Sequence, residues 1–227
     1  MKILDNIEIV DLALKYKDYL IFGDLHLGFE ESLVNQGILV PYSQIDQVIK
    51  RVNRIIEKAR PKIIIINGDL KDEFGRISQQ EWRDSLKFID SLKEKYKLIF
   101  IKGNHDTILE PIARKREIEI MDKFDIDNVS IIHGDVLIKN LKKTIIISHE
   151  HPAISFKERP DEKFKCFLKG KYKLHNLIVM PSFNPLVEGS DITKERFLSP
   201  YLKDLSNFEI FIVEDKVYNF GKLKEIK

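Results

Sequence analysis

The chain has 227 residues and a mass of 26.7 kDa, which allows one large domain, or two small ones, with a well-buried core; we expect one. Its 43% hydrophobic and 33% charged residues, with only 10 Gly and 8 Pro, exclude collagenous and disordered classes. The 38 basic and 36 acidic residues leave a formal charge of +2, which is too small by itself to indicate a nucleic-acid partner.

The sequence contains no signal for a membrane or for an oxidising compartment. No apolar run approaches the roughly 20 residues of a membrane span, and the first residues, Met1 to Asp5, contain no signal-peptide hydrophobic region. The single cysteine, Cys166, excludes an internal disulfide and a cysteine-based zinc cluster, and we interpret it as a small buried apolar residue. We therefore expect a cytoplasmic protein.

The first half of the chain contains four predicted strands. The opening strand alternates only partly, over 7–14, and a turn at 15–18 follows it. Three short apolar runs then predict buried strands, at 19–22, 63–66 and 98–101.

Two amphipathic helices are predicted between these runs. Apolar residues recur at helical spacing after Pro41, with Ser43 as the N-cap and Pro61 as the stop. A capping box from Ser78 to Glu81 opens the second helix. Because helices link the three buried strands, we expect these strands to be parallel and to carry a ligand site at their carboxyl ends.

The second half of the chain predicts more antiparallel sheet. Further short apolar runs occur at 129–132, 144–147, 177–180 and 210–213. The last of these runs is expected to form a closing hairpin with 217–220 across Glu214 and Asp215.

Histidines collect where the predicted strands end. Five of the six follow a predicted strand within a few residues, namely His26, His105, His133, His149 and His151. Any one of them is more often a hydrogen-bonded core or surface imidazole than a ligand. Five such coincidences in one chain are much rarer, so the set indicates a metal site.

The chemical types of the donor atoms narrow the choice of metal ion. In Asp24-x-His26 and His149-x-His151, alternate residues of an extended segment point the same way, so either pair is expected to chelate. A set of Asp, His and Asn without thiolate suits Mn²⁺, Fe or Zn²⁺. The donors are too many for one ion, which favours two divalent ions that share a carboxylate, with Asp69 as the natural bridge.

Five short blocks occur in order along the chain: Asp24-Leu25-His26, Gly68-Asp69, Gly103-Asn104-His105-Asp106, His133 and His149-Glu150-His151. Together they resemble the signature of the calcineurin-like metallophosphoesterases. The segment from Pro181 to Asp191 is similar to small archaeal and bacterial members related to DNA-repair nucleases. Ser148 departs from the pattern, because most members have Gly there, and this departure affects a local backbone contact and not a ligand.

The resemblance implies an α/β fold with four layers, α/β/β/α, in which helices flank two mixed β-sheets in a single domain over 1–227. It also implies two metal sites bridged by Asp69, a first with Asp24, His26 and His151 and a second with Asn104, His133 and His149. Mn²⁺ is the first choice for both ions, with Fe or Zn²⁺ as alternatives.

The resemblance leaves His105 free of metal. Its implied role is to donate a proton to the leaving oxygen or to stabilise the transferring phosphoryl group, and Asp106 is expected to orient it. Two cations about 3.5–4 Å apart lower the pKa of a bridging water, neutralise phosphate charge and hold an in-line attack. A phosphoester is therefore the expected substrate, and a phosphodiesterase or nuclease-like hydrolase is the favoured activity.

A basic stretch at 157–173 carries interleaved aromatic residues downstream of the predicted metal site. Arg159, Lys163 and Lys165 are candidate contacts to the backbone of a nucleic acid or nucleotide. An ordinary strand pair, with aromatic side chains inward and lysines solvated, is the favoured interpretation of the same stretch.

Two other functions remain open at this point. A nucleic-acid-binding or regulatory protein without turnover uses the same fold, although His105 and Asp69, whose loss usually marks such proteins, are both present. A small-molecule phosphomonoesterase or nucleotide pyrophosphatase uses the same site. The oligomeric state does not follow from the sequence.

Overall fold

Two β-sheets of mixed strand direction form the body of the protein in a computed structural model that describes residues 1–40, 44–194 and 196–226. The described residues contain sixteen strands: β1 (Lys2–Leu4), β2 (Ile7–Val10), β3 (Ala13–Tyr16), β4 (Tyr19–Phe22), β5 (Ile63–Asn67), β6 (Lys97–Ile101), β7 (Ile120–Met121), β8 (Phe124–Ile126), β9 (Val129–Ile131), β10 (Thr144–Ile147), β11 (Pro152–Phe156), β12 (Arg159–Tyr172), β13 (His175–Val179), β14 (Ser190–Asp191), β15 (Glu209–Val213) and β16 (Val217–Lys222).

Four α-helices occur within the same ranges: α1 (Phe29–Asn35), α2 (Gln44–Ala59), α3 (Gln79–Lys93) and α4 (Glu110–Arg116). The two long helices confirm the sequence prediction. The capping box of α3 is present, because Ser78 Oγ accepts the Glu81 N–H at 3.1 Å and the Glu81 carboxylate accepts the Ser78 N–H at 2.6 Å. Ser43, the expected N-cap of α2, lies outside the described residues.

The first sheet follows chain order from β1 to β7. Strands β4, β5, β6 and β7 are mutually parallel, and α2 and α3 connect β4 to β5 and β5 to β6, which confirms the predicted parallel neighbours. The predicted strand at 7–14 is wrong, because β2 and β3 form a hairpin there. Its turn contains Asp11 at a φ of +59°, a conformation that Asp tolerates better than most residues do, so the alternation is interrupted.

The second sheet has nine strands and confirms the mixed character expected for the second half. Strand β10 is parallel to β9 and β13, whereas β12 is antiparallel to β11, β13 and β15. The four predicted runs end within two residues of the observed strands, and β15 and β16 form the predicted closing hairpin.

Both faces of the second sheet are covered at its centre, which explains why β10 and β15 are almost continuously apolar. On β10, Ile146 packs in the core shared with the first sheet, whereas Ile145 and Ile147 belong to a second cluster with Tyr201 and Phe208. The helices α2 and α3 contact the outer side of the first sheet. The fold class, two mixed sheets flanked by helices, is thereby confirmed, while its extent over 1–227 stays a prediction.

None of the helices in the described ranges combines the length and the hydrophobicity that a membrane span requires.

Replacement of Phe22 by Ala tests the contact between β4 and its neighbours. The Phe22 ring is fully buried, with its centroid 6.3 Å from that of Phe88 on α3 and 4.9 Å from that of Phe183. We expect Phe22→Ala to lower the free energy of unfolding by about 3–5 kcal/mol, measured by urea denaturation, because it leaves a cavity in the core. Leu174→Ala, at a side chain that is 93% exposed, is the matched control; equal effects of the two substitutions would contradict this packing.

Candidate metal centre

Each residue that the sequence singled out as a metal ligand lies in a loop that follows a strand. Asp24 and His26 follow β4, Asp69 follows β5, Asn104 follows β6, His133 follows β9, and His149 and His151 follow β10. The ligand-bearing ends of both sheets therefore meet at one place, as parallel strands require at their carboxyl ends.

The first cluster of donors contains Asp24, His26, Asp69 and His151, whose ligand atoms all lie within 4.8 Å of one another. His151 Nε2 lies 3.3 Å from Asp24 Oδ2 and 3.4 Å from His26 Nε2. Asp24, His26 and Asp69 are buried, and His151 is half-buried. Two carboxylates and two imidazoles thus share one small, largely dry volume.

The second cluster contains Asp69, His133 and His149. His133 Nε2 lies 3.3 Å from Asp69 Oδ2 and 2.9 Å from Asn104 Oδ1, which places Asn104 at the same cluster. Asp69 is the residue common to the two clusters, as the sequence predicted for a bridging carboxylate.

The donor set fits divalent cations. Asp24 Oδ1 is buried and accepts no hydrogen bond from the described residues, and such an atom is costly unless a positive charge lies beside it. The nitrogens of His26 and His151 face each other at 3.4 Å with Asp24 and Asp69 beside them, an arrangement that a cation between them would stabilise. Carboxylate and imidazole donors without thiolate suit Mn²⁺, Fe or Zn²⁺.

The electrostatics of the clusters favour positive charge. Burial acts to raise the pKa of Asp69, but the hydrogen bond to His133 and the charges of the surrounding histidines outweigh it and hold that pKa below its usual range. Burial acts to lower the pKa of His133, yet the Asp69 carboxylate raises it to about 9. Burial and the charge of His133 lower the pKa of His149 to about 4.

The backbone of the ligand loops differs from the extended form that the sequence suggested. Five of the proposed ligands have positive φ: Asp24 (+54°), His26 (+41°), Asp69 (+48°), His149 (+57°) and His151 (+49°). The reasoning from extended alternation was therefore wrong. His149 and His151 belong to different clusters, whereas Asp24 and His26 share one.

Two glycines allow the loops to approach closely. A Cβ on Gly68, whose φ is +79°, would lie 2.1 Å from His133 Nδ1. A Cβ on Gly103 would lie 2.1 Å from Asp69 Oδ1. Any side chain at either position would displace a proposed ligand.

His105 lies beside the two clusters and forms a group of its own with His26 and Asp72. Its Nδ1 donates a hydrogen bond to the Asp72 carbonyl, and its Nε2 lies 4.0 Å from Asp69 Oδ2. Burial lowers the pKa of His105. His105 therefore faces the centre, and because its donor atom lies within 4.8 Å of those of His26 and Asp72, close enough to hold an ion, a role without metal stays a prediction.

Asp106 has a different contact from the one expected. Its carboxylate accepts the backbone N–H groups of Leu70 at 3.1 Å and Gly103 at 3.0 Å, while the partner of the His105 imidazole is the Asp72 carbonyl. Burial and the charge of Asp69 raise the pKa of Asp106 to about 6. Asp106 thus joins the loops after β5 and β6 and positions His105 through the backbone.

A support for the first ligand loop was missed by the sequence reasoning. Ser182 Oγ donates to the Asp24 carbonyl at 2.9 Å, and the Asn184 amide donates to the carbonyls of Leu25 and His26 at 3.0 and 3.1 Å. The ammonium of half-buried Lys165 in turn donates to the carbonyls of Ser182 and Asn184. The polar residues between Pro181 and Pro185 were the available signal, but their partners lie about 158 residues away in sequence.

Ser148 and Glu150 also support the ligands. Ser148 Oγ donates to the Asn67 carbonyl at 2.6 Å and lies 3.1 Å from His133 Nδ1, so this hydroxyl contacts a proposed ligand, contrary to the expectation that Ser148 affects only a backbone contact. The Glu150 carboxylate, between two proposed ligands, accepts the backbone N–H groups of Leu198 and Ser199.

The strand part of the interpretation of the basic stretch is confirmed, because β12 pairs with β11 and buries Phe167, whereas Lys163 and Lys165 donate to backbone carbonyls and are not simply solvated. Exposed Arg159 forms an ion pair with Glu162 at 3.1 Å, and Lys163 Nζ donates to the Gly189 carbonyl at 3.0 Å. The ammonium of Lys165 faces backbone carbonyls, as described above. Direct contact of Arg159, Lys163 and Lys165 with a substrate stays a prediction.

Gly68→Ala is expected to remove one of the two metal sites, because its Cβ would collide with the His133 ring. Gly37→Ala is the matched control, since Gly37 also has a positive φ, +85°, but has no atom within 4 Å of the added Cβ. Calorimetric titration with Mn²⁺ should give about one ion per chain for Gly68→Ala and about two for Gly37→Ala. Equal stoichiometries would contradict the close approach of Gly68 and His133.

Lys165→Met is expected to change the pH dependence of stability. Burial lowers the pKa of Lys165 from 10.5 to about 7, so the folded chain releases a proton that the unfolded chain retains up to about pH 10. Between pH 7 and pH 10 the free energy of unfolding of the wild type should therefore rise with pH relative to that of Lys165→Met, by up to about 1.4 kcal/mol per pH unit. Below pH 7 the difference between the two proteins should be constant. Urea denaturation of both proteins from pH 6 to 9 measures this; parallel curves would refute it.

Comparison with known proteins places this geometry in a family. The family model for calcineurin-like phosphoesterases matches residues 18–212. The chain is similar in structure to the nuclease MPE of Pseudomonas putida, with a TM-score of 0.66 and 16% sequence identity over 93% of each chain. It is also similar to Yfce, a phosphoesterase from E. coli, with a TM-score of 0.44 and 10% identity over 92% of this chain and 99% of that one. No curated protein sequence gave a significant match.

The likeness to the nuclease supports the fold, and the family model covers most of the chain, including every proposed ligand. This protein belongs to the calcineurin-like phosphoesterase family.

Proposed function

We propose that this protein is a two-metal phosphodiesterase with a nuclease-like activity, whose substrate is a nucleic acid or a nucleotide ester. The observation that carries the proposal is the pair of buried donor clusters that share Asp69, with His105 beside them. Family membership supports phosphoester hydrolysis, and the structural likeness to a nuclease supports the choice of a diester.

The proposed ligands of the first ion are Asp24, His26 and His151, and those of the second are Asn104, His133 and His149, with Asp69 shared. Two bound divalent cations supply charge neutralisation at the phosphate and lower the pKa of a water molecule. We propose Mn²⁺ for both, with Fe or Zn²⁺ as alternatives that the same donors accept.

His105 is the proposed proton donor. The Asp72 carbonyl accepts a hydrogen bond from Nδ1–H, which leaves Nε2 as the atom that faces the shared carboxylate. Protonation at Nε2 makes an imidazolium, which the negative phosphoryl oxygens favour and which can donate to the leaving oxygen. Asp106 supports this position by holding Gly103, two residues before His105.

Metal-resolved kinetics test the proposal. The purified chain, loaded with Mn²⁺, Mg²⁺ or Zn²⁺, should hold about two ions and hydrolyse bis-p-nitrophenyl phosphate, a diester, faster than p-nitrophenyl phosphate, a monoester. Asp69→Asn should lose metal and activity together, because both clusters share this carboxylate. His105→Ala should retain the metal and lose about 10²–10⁴-fold in kcat, the usual contribution of general acid catalysis.

The remaining outcomes separate the alternatives. Preference for the monoester would favour a phosphomonoesterase or nucleotide pyrophosphatase. Two bound ions without turnover of either ester would favour a nucleic-acid-binding or regulatory protein. Loss of metal from His105→Ala would show that the division between ligands and proton donor is incorrect.

A further inference from the structure

Some exposed apolar side chains lie close in sequence to the proposed ligands. Eleven large hydrophobic residues are exposed in the part of the chain that the structure describes. Four of them lie in segments that follow the ligand-bearing ends of strands: Phe74, Ile108, Val136 and Leu137. An exposed apolar side chain beside a binding site is a candidate for contact with its ligand.

Phe74 is the aromatic member of this group, and its position is the most informative. Its ring lies over the His105 ring, with centroids 3.7 Å apart and planes inclined by 35°. It is nevertheless 59% exposed. One side of the ring therefore covers the proposed proton donor, while a large part of the ring remains available to a flat group on the substrate.

The loop that carries Phe74 is held in place by buried polar groups. The Glu81 carboxylate accepts the backbone N–H groups of Asp72 and Glu73, at 3.0 and 2.6 Å, and the fully buried Lys71 ammonium donates to the Glu73 carbonyl. These contacts fix the residues directly before Phe74. The aromatic ring is therefore presented on an anchored loop, which lowers the entropy lost when it contacts a ligand.

The charges beside Phe74 are balanced. Arg76 forms an ion pair with Glu73, with 3.0 Å between Nε and Oε2. A surface that binds nucleic acid through its phosphates presents a stripe of cations instead. A ligand beside Phe74 is therefore expected to be recognised through the flat face of the ring more than through charge.

We propose that Phe74 is a specificity-determining residue that stacks on a nucleobase of the substrate, next to the phosphodiester that is hydrolysed. The inference rests on the proposed function and extends it, because it assigns the choice of a base-bearing ester to one side chain. Base-aromatic stacking tolerates any base and requires a base that is not stacked in a duplex. The preferred substrate is therefore a single-stranded or unpaired segment.

Two oligomers of equal charge test the proposal. One is a short fluorescein-labelled thymidine oligonucleotide, and the other is the same phosphodiester backbone with abasic tetrahydrofuran units in place of the nucleosides. Cleavage in Mn²⁺ gives kcat/KM for each, and fluorescence anisotropy in Ca²⁺ gives the affinity for each independently of turnover. Because the two backbones carry equal charge, the difference between them reports the bases.

Phe74→Ala should lower both kcat/KM and affinity for the thymidine oligomer by about 5- to 100-fold, the usual range for the loss of one stacked base. The same variant should change the affinity for the abasic oligomer by less than about twofold, and any loss of kcat/KM that arises because the ring contacts His105 should be equal for the two oligomers. Phe74→Tyr should keep the wild-type preference for the thymidine oligomer over the abasic oligomer. Phe74→Leu, whose side chain is apolar but not planar, should lose this preference. Leu174→Ala, at a distant exposed position, is the control and should behave as the wild type.

Each remaining result counts for or against the proposal. If Phe74→Ala lowers the values for both oligomers equally, Phe74 acts only by holding His105, and the stacking role is refuted. If the wild type does not distinguish the oligomers in either assay, the role is also refuted, and the proposed phosphodiesterase stands if both are cleaved. If neither oligomer is cleaved but affinity shows the predicted pattern, the proposed function fails and the role of Phe74 is supported.

Discussion

The Asp69 carboxylate is the interaction on which the rest of the site depends. Its Oδ1 accepts the backbone N–H of His105 at 2.9 Å, and its Oδ2 lies 3.3 Å from His133 Nε2. One side chain thus positions the proposed proton donor and takes part in both donor clusters. The absence of a Cβ at Gly68 and Gly103 allows the loops to reach it.

Bringing the ligand loops together around Asp69 costs free energy, and contacts in the surrounding structure must offset this cost. Five proposed ligands adopt the left-handed backbone region, which costs roughly 1–2 kcal/mol for each residue other than glycine. The buried charges add to that cost unless they are compensated. The offsetting contacts are the hydrogen bonds from Ser182 and Asn184, the loop-joining carboxylate of Asp106 and the core on both faces of the second sheet.

Sequence reasoning located β4, β5, β6, α2 and α3 because their signals are local, whereas short elements such as α1, α4 and β11 were not predicted. The isoleucine run of β5 and the capping box of α3 each depend on a few neighbouring residues. The common location of the metal donors follows from the topology, because parallel strands end at the same edge of a sheet. The missed features depend on distant partners. The use of the Asp72 carbonyl by His105 and the contact of Lys165 with Ser182 and Asn184 have no pattern that a single segment displays.

The proposed ligands are divided between the two sheets, and this division has a mechanical consequence. Asp24, His26, Asp69 and Asn104 follow strands of the first sheet, whereas His133, His149 and His151 follow strands of the second. A pair of ions held by all of them would be a cross-link between the sheets. Sliding of one sheet over the other would then disturb both sites at once, so that metal loading and the alignment of the two sheets would be the same event.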